Sequence, residues 1–176
     1  MGKTLHIDEW MKRGGLLLAA SMIVLAGCQV ALLTYKGAKV RDDSLIRLTE
    51  GTQGSAVYHT TDLIIEYRWV RSGNELQLSG LAKFTSRIQN SFTMIPVFDL
   101  SLFLTDAQGN ILEQRWIATP GGVEPGSRML ISEKLLLPPG TANMAFSYSG
   151  QARDSDGVGS DKGDGDMPFW QVPIVR

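Results

Sequence analysis

Apolar and polar side chains alternate with a period of two along most of the chain beyond residue 60. The segment Leu63–Val70 places Ile65, Tyr67 and Trp69 on one side, with charged residues between them, which is the pattern of a half-buried β-strand. The same alternation predicts six further strands: Leu76–Phe84, Met94–Thr105, Ile111–Ile117, Arg128–Leu137, Met144–Ser149 and Pro168–Val175. Turn residues separate these segments, and none after Tyr35 has the period of an amphipathic helix. The pattern predicts an all-β domain, an antiparallel β-sandwich of about seven strands.

The strongest apolar segment is Met94–Thr105. Strict alternation puts Met94, Phe98 and Leu100 on one face of this strand. Pro96, near its start, is typical of an edge strand or of the entry to a strand, because proline cannot donate to a hydrogen-bond ladder.

The segment from Leu76 to Phe146 resembles small immunoglobulin-like bacterial domains of the FxLYD type. Those domains join two strands through a D-x-x-G turn, which Asp106 and Gly109 supply here. The F-x-L-Y-D string itself is absent, and Leu102-Phe-Leu-Thr-Asp106 occupies a comparable place. The resemblance implies an Ig-like β-sandwich.

A run of 22 uncharged residues, from Gly14 to Tyr35, precedes this domain. Lys12 and Arg13 stand immediately before the run. A basic flank followed by an apolar stretch is typical of a secretory signal, and we expect this one to be a hydrophobic helix.

Inside this run, Leu25-Ala26-Gly27-Cys28 resembles a bacterial lipobox. The resemblance implies that diacylglycerol is attached to the Cys28 thiol and that the signal is removed between Gly27 and Cys28. It also implies acylation of the new amino group. Two or more acyl chains anchor a protein stably, whereas one does not. The residue after Cys28 is Gln29 rather than aspartate, which in Gram-negative sorting favours the outer membrane, with the domain facing the periplasm.

An uncleaved, single-pass signal anchor is the alternative for this segment. The uncharged run is long enough to cross a bilayer, which needs about 20 residues. The complete cleavage pattern favours the lipobox, and both interpretations place the rest of the chain outside the cytoplasm. The predicted organisation is a signal peptide over residues 1–27, a lipidated N-terminus and linker over 28–60, and the β-sandwich over 61–176.

Composition excludes several function classes. Cys28 is the single cysteine of the chain, so an internal disulfide and a zinc site built on several cysteines are ruled out. Residues 28–176 carry 14 basic and 16 acidic side chains. This balance leaves no basic surplus for the phosphates of a nucleic acid.

The candidates for chemistry are few. His59 is the single histidine after the predicted cleavage site, and no serine-nucleophile motif accompanies it. Trp69, Trp116 and Trp170 could form a platform for sugars or peptides, although core packing is the more common role of tryptophan in a sandwich. We therefore predict no catalytic residue, no cofactor and no enzyme activity.

One cluster could supply ligands to a cation. Five aspartates and four glycines lie between residues 154 and 166, and closely spaced carboxylates suit Ca²⁺. The spacing is not that of an EF-hand and no glutamate closes the loop, so we predict a metal-free, solvated connection. The candidate calcium ligands are Asp154, Asp156, Asp161, Asp164 and Asp166.

These features predict a non-enzymatic cell-envelope lipoprotein. Its partners would be membrane lipid, through Cys28, and other envelope proteins, with the sandwich as an interaction or structural domain. The alternatives are the signal-anchored form of the same protein and a carbohydrate-binding or hydrolytic β-sandwich.

Overall fold

Ten β-strands form two antiparallel sheets in the part of the chain that the computed structural model describes, residues 35–154 and 166–175. In chain order the strands are β1 (Ile46–Arg47), β2 (Gln53–His59), β3 (Leu63–Ser72), β4 (Glu75–Phe84), β5 (Met94–Thr105), β6 (Ile111–Ala118), β7 (Gly121–Val123), β8 (Arg128–Leu136), β9 (Asn143–Arg153) and β10 (Met167–Gln171). A 3-10 turn, Asp42–Ser44, precedes β1, and a short helix, α1 (Ser86–Ser91), follows β4. Over these residues, no helix has the length and hydrophobicity needed to span a membrane. The predicted signal helix lies outside the described residues.

The two sheets pack face to face as an antiparallel β-sandwich, which confirms the predicted architecture. In the six-stranded sheet, β9 and β5 are the central pair. β1 and β10 pair with different stretches of β9, while β6 and β7 pair with different stretches of β5. The four-stranded sheet has the order β2-β3-β4-β8.

Aromatic rings fill the space between the sheets. The ring of Phe84 on β4 meets those of Phe98 on β5 and Phe169 on β10 edge-on, with centroids 5.1 and 5.9 Å apart. Phe146 on β9 meets Tyr67 on β3 in the same way, at 5.0 Å. Edge-to-face contacts of this kind stabilise a core beyond the burial of area alone.

All seven predicted strands are present, with ends that differ by a few residues from the prediction. Two strands were not predicted, β2 and β7. β1 lies in Leu45–Leu48, which the sequence allows as a helical turn or a short strand within the predicted linker, residues 28–60, and β2 lies in that linker as well. β2 nevertheless pairs with β3 over its whole length, as the first strand of a hairpin, because the adjacent strand supplies hydrogen bonds to a segment whose own apolar pattern is weak.

Pro96 lies in an interior strand, since β9 and β7 pair with the two sides of β5. The register between β5 and β9 shifts between Met94 and Val97, and such an irregularity accommodates a residue that cannot donate to the ladder. The shift also reverses the alternation. Ile95 and Phe98 are buried in the core, whereas Met94 is exposed.

Segments near both ends of the described chain cover one half of the outer face of the six-stranded sheet. Val40 forms an antiparallel bridge with Ile174, and the main-chain N–H of Arg41 donates to the carbonyl of Pro173. These segments bury a second apolar cluster on that face: Val40, Phe103, Ile111 and Ala145. The other half of the same face has no such cover among the described residues, and it contains the candidate site.

A close approach between strands requires a glycine at position 80 of β4. A Cβ placed there would lie 2.4 Å from the main-chain oxygen of Glu66 and 3.0 Å from Cα of Tyr67. Both atoms belong to the backbone of β3, which pairs with β4 without interruption. The two strands could admit a larger residue only by moving apart.

We predict that Gly80→Ala lowers the free energy of unfolding by about 1–3 kcal/mol, the usual cost of overpacking a well-packed site. Urea denaturation followed by far-ultraviolet circular dichroism measures this. The matched control is Ser79→Ala, since Ser79 is the exposed neighbour on the same strand. Equal stabilities for the two variants would contradict the prediction.

Candidate functional site

The uncovered half of the outer face of the six-stranded sheet carries a mixed aromatic and polar surface. We call it the open face and define it by six residues: Val97, Asp99, Trp116, Ser149, Gln151 and Trp170. Trp116 and Trp170 are each 59% exposed. Large aromatic side chains that remain accessible on one face are the usual anchors of binding surfaces.

The strand register explains why both indoles point outward. Trp170 on β10 pairs with Ser149 on β9, and Ser149 pairs with Asp99 on β5. Trp116 on β6 pairs with Ser101 on β5. Residues paired across antiparallel strands share a face. The neighbours of Asp99 and Ser101 along β5 are buried in the core, so these two residues and their partners face away from it.

Three inter-strand spacings separate the two indoles, because β9 and β5 lie between β10 and β6. With strands about 4.8 Å apart and residues about 3.4 Å apart, the Cα atoms of Trp116 and Trp170 are roughly 16 Å apart. Asp99 and Ser149 lie between them. The arrangement is a shallow surface with an aromatic group at each end and hydrogen-bonding groups in the middle.

Asp99 gives this surface an unneutralised acidic centre. Its side chain is half-buried, and within the described part of the chain no hydrogen bond or ion pair engages its carboxylate. The neighbouring polar group is already satisfied, because Gln114 Nε2 donates to Ser101 Oγ at 3.0 Å. Asp99 can therefore accept hydrogen bonds from a ligand or pair with a cationic group.

A cleft of about 420 Å³ borders the open face at Trp170. Its lining is Tyr35, Arg41, Trp170, Gln171, Val172 and Ile174. Gln171 Nε2 donates to the hydroxyl of Tyr58 at 2.8 Å. Burial raises the pKa of Tyr58, and the nearby Arg41 guanidinium acts in the opposite direction. The cleft thus combines aromatic rings with one guanidinium, a composition suited to binding rather than to proton transfer.

The three tryptophans of the described residues divide between core and surface. Trp69 is 7% exposed and belongs to the core between the sheets, whereas Trp116 and Trp170 share the open face. His59 is exposed at the end of β2. Across the described residues, no hydrogen bond joins His59 to a serine or a carboxylate.

The predicted lipid site and most of the predicted calcium ligands cannot be placed. Leu25, Ala26, Gly27 and Cys28, and likewise Asp156, Asp161 and Asp164, lie outside the described residues. Asp166 is described, and its two oxygens accept hydrogen bonds from Arg153 Nε at 2.7 Å and Nη2 at 3.1 Å. These bonds lower the pKa of Asp166. Asp154 is exposed. Over residues 35–154 and 166–175 no cluster of three or more His, Cys, Asp or Glu side chains is suited to a metal ion.

The fold also brings several polar and titratable side chains together in a buried cluster. The hydroxyl of Tyr148 lies 2.9 Å from Thr60 Oγ1 and 3.0 Å from Asp62 Oδ2. Arg87 of α1 forms an ion pair with Asp62. Thr60 Oγ1 also accepts a hydrogen bond from the main-chain N–H of Leu63 at 2.8 Å. Both Tyr148 and Asp62 are buried, and each polar group has a partner. The cluster therefore joins β9, α1 and the β2–β3 turn and is structural.

A second cleft of about 420 Å³ contains Arg71. The guanidinium of Arg71 donates to the main-chain oxygens of Leu48 and Thr141. Through these hydrogen bonds, Arg71 links the end of β3 to the segment that follows β1 and to the segment that precedes β9.

Comparisons of the chain with protein-family models, with curated proteins and with solved structures find no match.

The buried cluster makes a prediction about alkaline pH. Burial raises the pKa of Tyr148 above its ordinary value. Its stabilising contribution is therefore complete below about pH 10, the pKa of an exposed tyrosine, and is lost as the pH rises above it. We expect the free energy of unfolding to fall as the pH rises above about 10, and to fall less steeply in Tyr148→Phe.

The same variant is expected to be less stable at neutral pH by about 1–2 kcal/mol, since it removes a buried hydrogen-bond donor. Denaturant titrations at several pH values measure both effects. An unchanged slope in Tyr148→Phe would show that other groups cause the alkaline loss.

Proposed function

We propose that this chain is a non-enzymatic, membrane-anchored protein of the cell envelope, and that the open face is its binding surface. The observation that carries the proposal is the pair of indoles, each 59% exposed, on one face of one sheet. A soluble domain gains by burying such side chains. Their exposure on the same face as an unpaired Asp99 is typical of a surface that meets a ligand.

The anchor is proposed from the sequence Leu25-Ala26-Gly27-Cys28. In this proposal, acyl chains on Cys28 hold the domain in the cell envelope, which in a Gram-negative cell means on the outer membrane, facing the periplasm. The single-pass signal anchor is the alternative attachment. The proposed absence of enzyme activity is supported by His59, which is exposed and has no hydrogen bond to a serine or a carboxylate among the described residues, and by the use of Asp62 in an ion pair that stabilises the fold.

An Ig-like relationship for the sandwich is part of the same proposal. The turn between β5 and β6 supports it, because Asp106 Oδ1 accepts hydrogen bonds from the main-chain N–H groups of Gln108 at 2.9 Å and Asn110 at 2.8 Å. Gly109 completes the turn with φ of +85°, a conformation that favours glycine. The D-x-x-G spacing is thus used as a turn signal.

Carbohydrate binding is the second candidate function, and the open face favours it over hydrolysis. Two indoles can stack on sugar rings while Asp99 and Ser149 accept and donate hydrogen bonds between them. Hydrolysis of a glycosidic bond requires two facing carboxyl groups, and Asp99 is the single carboxylate of the open face.

The proposed anchor can be tested directly. In a bacterial host with lipoprotein processing, we expect the chain to lack residues 1–27 and to carry diacylglycerol on Cys28. Cys28→Ala should be neither lipidated nor cut at this position. Intact-mass spectrometry of the protein extracted from membranes measures both properties. A full-length, unmodified wild-type chain would favour the signal anchor instead.

Stability measurements can test whether the exposed indoles serve binding rather than folding. We expect Trp116→Ala combined with Trp170→Ala to change the free energy of unfolding by no more than about 0.5 kcal/mol per site, as is usual for surface positions. The control Trp69→Ala should lower it by about 3–5 kcal/mol, since it empties a core site. A large loss in the double variant, measured by urea denaturation, would mean that the two indoles hold the fold together.

A further inference from the structure

We propose that the open face docks onto the membrane surface, with Trp116 and Trp170 in the headgroup layer. This inference rests on the proposed membrane attachment, in either its lipid-anchored or its signal-anchored form. It assigns to the open face one occupant, the phospholipid headgroups of the membrane that holds the chain.

The short tether is the first argument. Six residues lie between Cys28 and Tyr35, so the chain from one to the other reaches at most about 25 Å even when fully extended. Tyr35 already packs on the sandwich, with its ring centroid 5.3 Å from that of Phe103. In the signal-anchor form the uncharged run ends at Tyr35 itself. Either attachment keeps the domain close to the bilayer.

The position of Tyr35 is the second argument, because it decides which face is close. Phe103, against which Tyr35 packs, belongs to the cluster on the outer face of the six-stranded sheet. Tyr35 also lines the same cleft as Trp170. The chain therefore leaves the sandwich toward its anchor at the border of the open face. The outer face of the four-stranded sheet is on the opposite side of the sandwich.

The chemistry of the open face fits a headgroup layer. Tryptophan is enriched at membrane interfaces, where the indole ring contacts the acyl boundary and its N–H meets polar groups. Val97 and Met94 extend the apolar part of the surface, and both are exposed. Arg41 at the cleft, whose Nε lies 3.6 Å from Asp43 Oδ1 in an exposed ion pair, is also placed to meet lipid phosphates, and Asp99 to meet the ammonium group of phosphatidylethanolamine.

The opposite outer face has a different character, which favours this orientation. Its exposed apolar side chains are aliphatic, Val57, Leu130 and Leu136, and they stand among the ion pairs Glu66–Lys83 and Glu75–Lys134, at 3.0 and 2.9 Å. Arg153 and Asp166 form an ion pair on the side of the open face as well. The exposed tryptophans among the described residues lie on the side of the open face, and tryptophan is the side chain that favours a headgroup layer.

The test uses the full chain reconstituted into vesicles of phosphatidylethanolamine and phosphatidylglycerol. A fraction of the lipid carries a spin label at headgroup depth, which quenches nearby indole fluorescence. All proteins carry Trp10→Phe, so the remaining indoles are Trp69, Trp116 and Trp170. Flotation of the vesicles on a density gradient reports attachment separately from quenching.

We expect spin-labelled lipid to quench part of the emission and to shift the remainder toward that of the buried Trp69. Trp116→Phe combined with Trp170→Phe should remove the lipid-quenched part. The matched control adds Leu130→Trp to that double variant. Leu130 is 76% exposed on β8, on the outer face of the other sheet, so an indole placed there should not be quenched.

Two results would overturn the inference alone. One is a protein that floats with the vesicles while its open-face indoles remain unquenched; a change in their emission on adding soluble glycan fragments would then assign the face to carbohydrate. The other is quenching of the Leu130→Trp reporter in place of the open-face indoles, which would reverse the orientation. A protein that does not float would overturn the proposed attachment, and the docking with it.

Discussion

The antiparallel bridge between Val40 and Ile174 is the contact on which the arrangement of this molecule depends. It brings a segment that precedes the first strand against a segment that follows the last one, and both lie over the same end of the six-stranded sheet. A β-sandwich needs to bury only the inner face of each sheet. Here one half of an outer face is buried as well, around Phe103 and Ala145.

This partial cover divides the outer face into two halves with different roles. Under the cover, apolar residues of β5 and β9 are buried on both faces of the sheet, so the central strands are fixed at this end. Beyond the cover, the same two strands contribute Asp99 and Ser149 to the open face. Because the covering segment begins at Tyr35 and that residue lines a cleft with Trp170, the bridge also fixes where the chain enters the domain relative to the exposed indoles.

The sequence was most informative where the apolar pattern was strong and local. The bounds predicted for β5 agree with the structure, because twelve residues from Met94 to Thr105 are apolar enough to be recognised without a partner. β2 was missed because Gly51–Gly54 reads as a break and Gln53–His59 has few apolar residues. That strand exists through its pairing with the adjacent strand β3, an interaction that the apolar pattern of Gln53–His59 alone does not contain.

The open face could be predicted only in part, for a related reason. Trp116 and Trp170 were recognised as a possible platform, but their burial depends on which face of a strand points inward. In β10 only Phe169 fixes the inward face within five residues, and the pairing of β6 with β5 shifts register between Leu100 and Ser101 and between Leu104 and Thr105. A one-residue shift moves every side chain to the other face. The assignment therefore requires the pairing of β10 with β9 and of β6 with β5.

The proposed attachment to a membrane changes what the open face must achieve. A free protein would need a surface of high affinity to remain on a bilayer, whereas a tether of at most about 25 Å makes docking an intramolecular event with a high effective concentration. Two indoles and a few polar groups are then sufficient to select one orientation, although they would hold a free domain weakly. The result of the proposed docking is directional. It places the open face against the lipid and turns the four-stranded sheet, with its paired charges and the edge strand β2, toward the surrounding compartment. Within the described part of the chain β2 pairs only with β3, and an edge strand is a surface to which another extended chain can add, so the proposed orientation also determines whether that edge remains accessible.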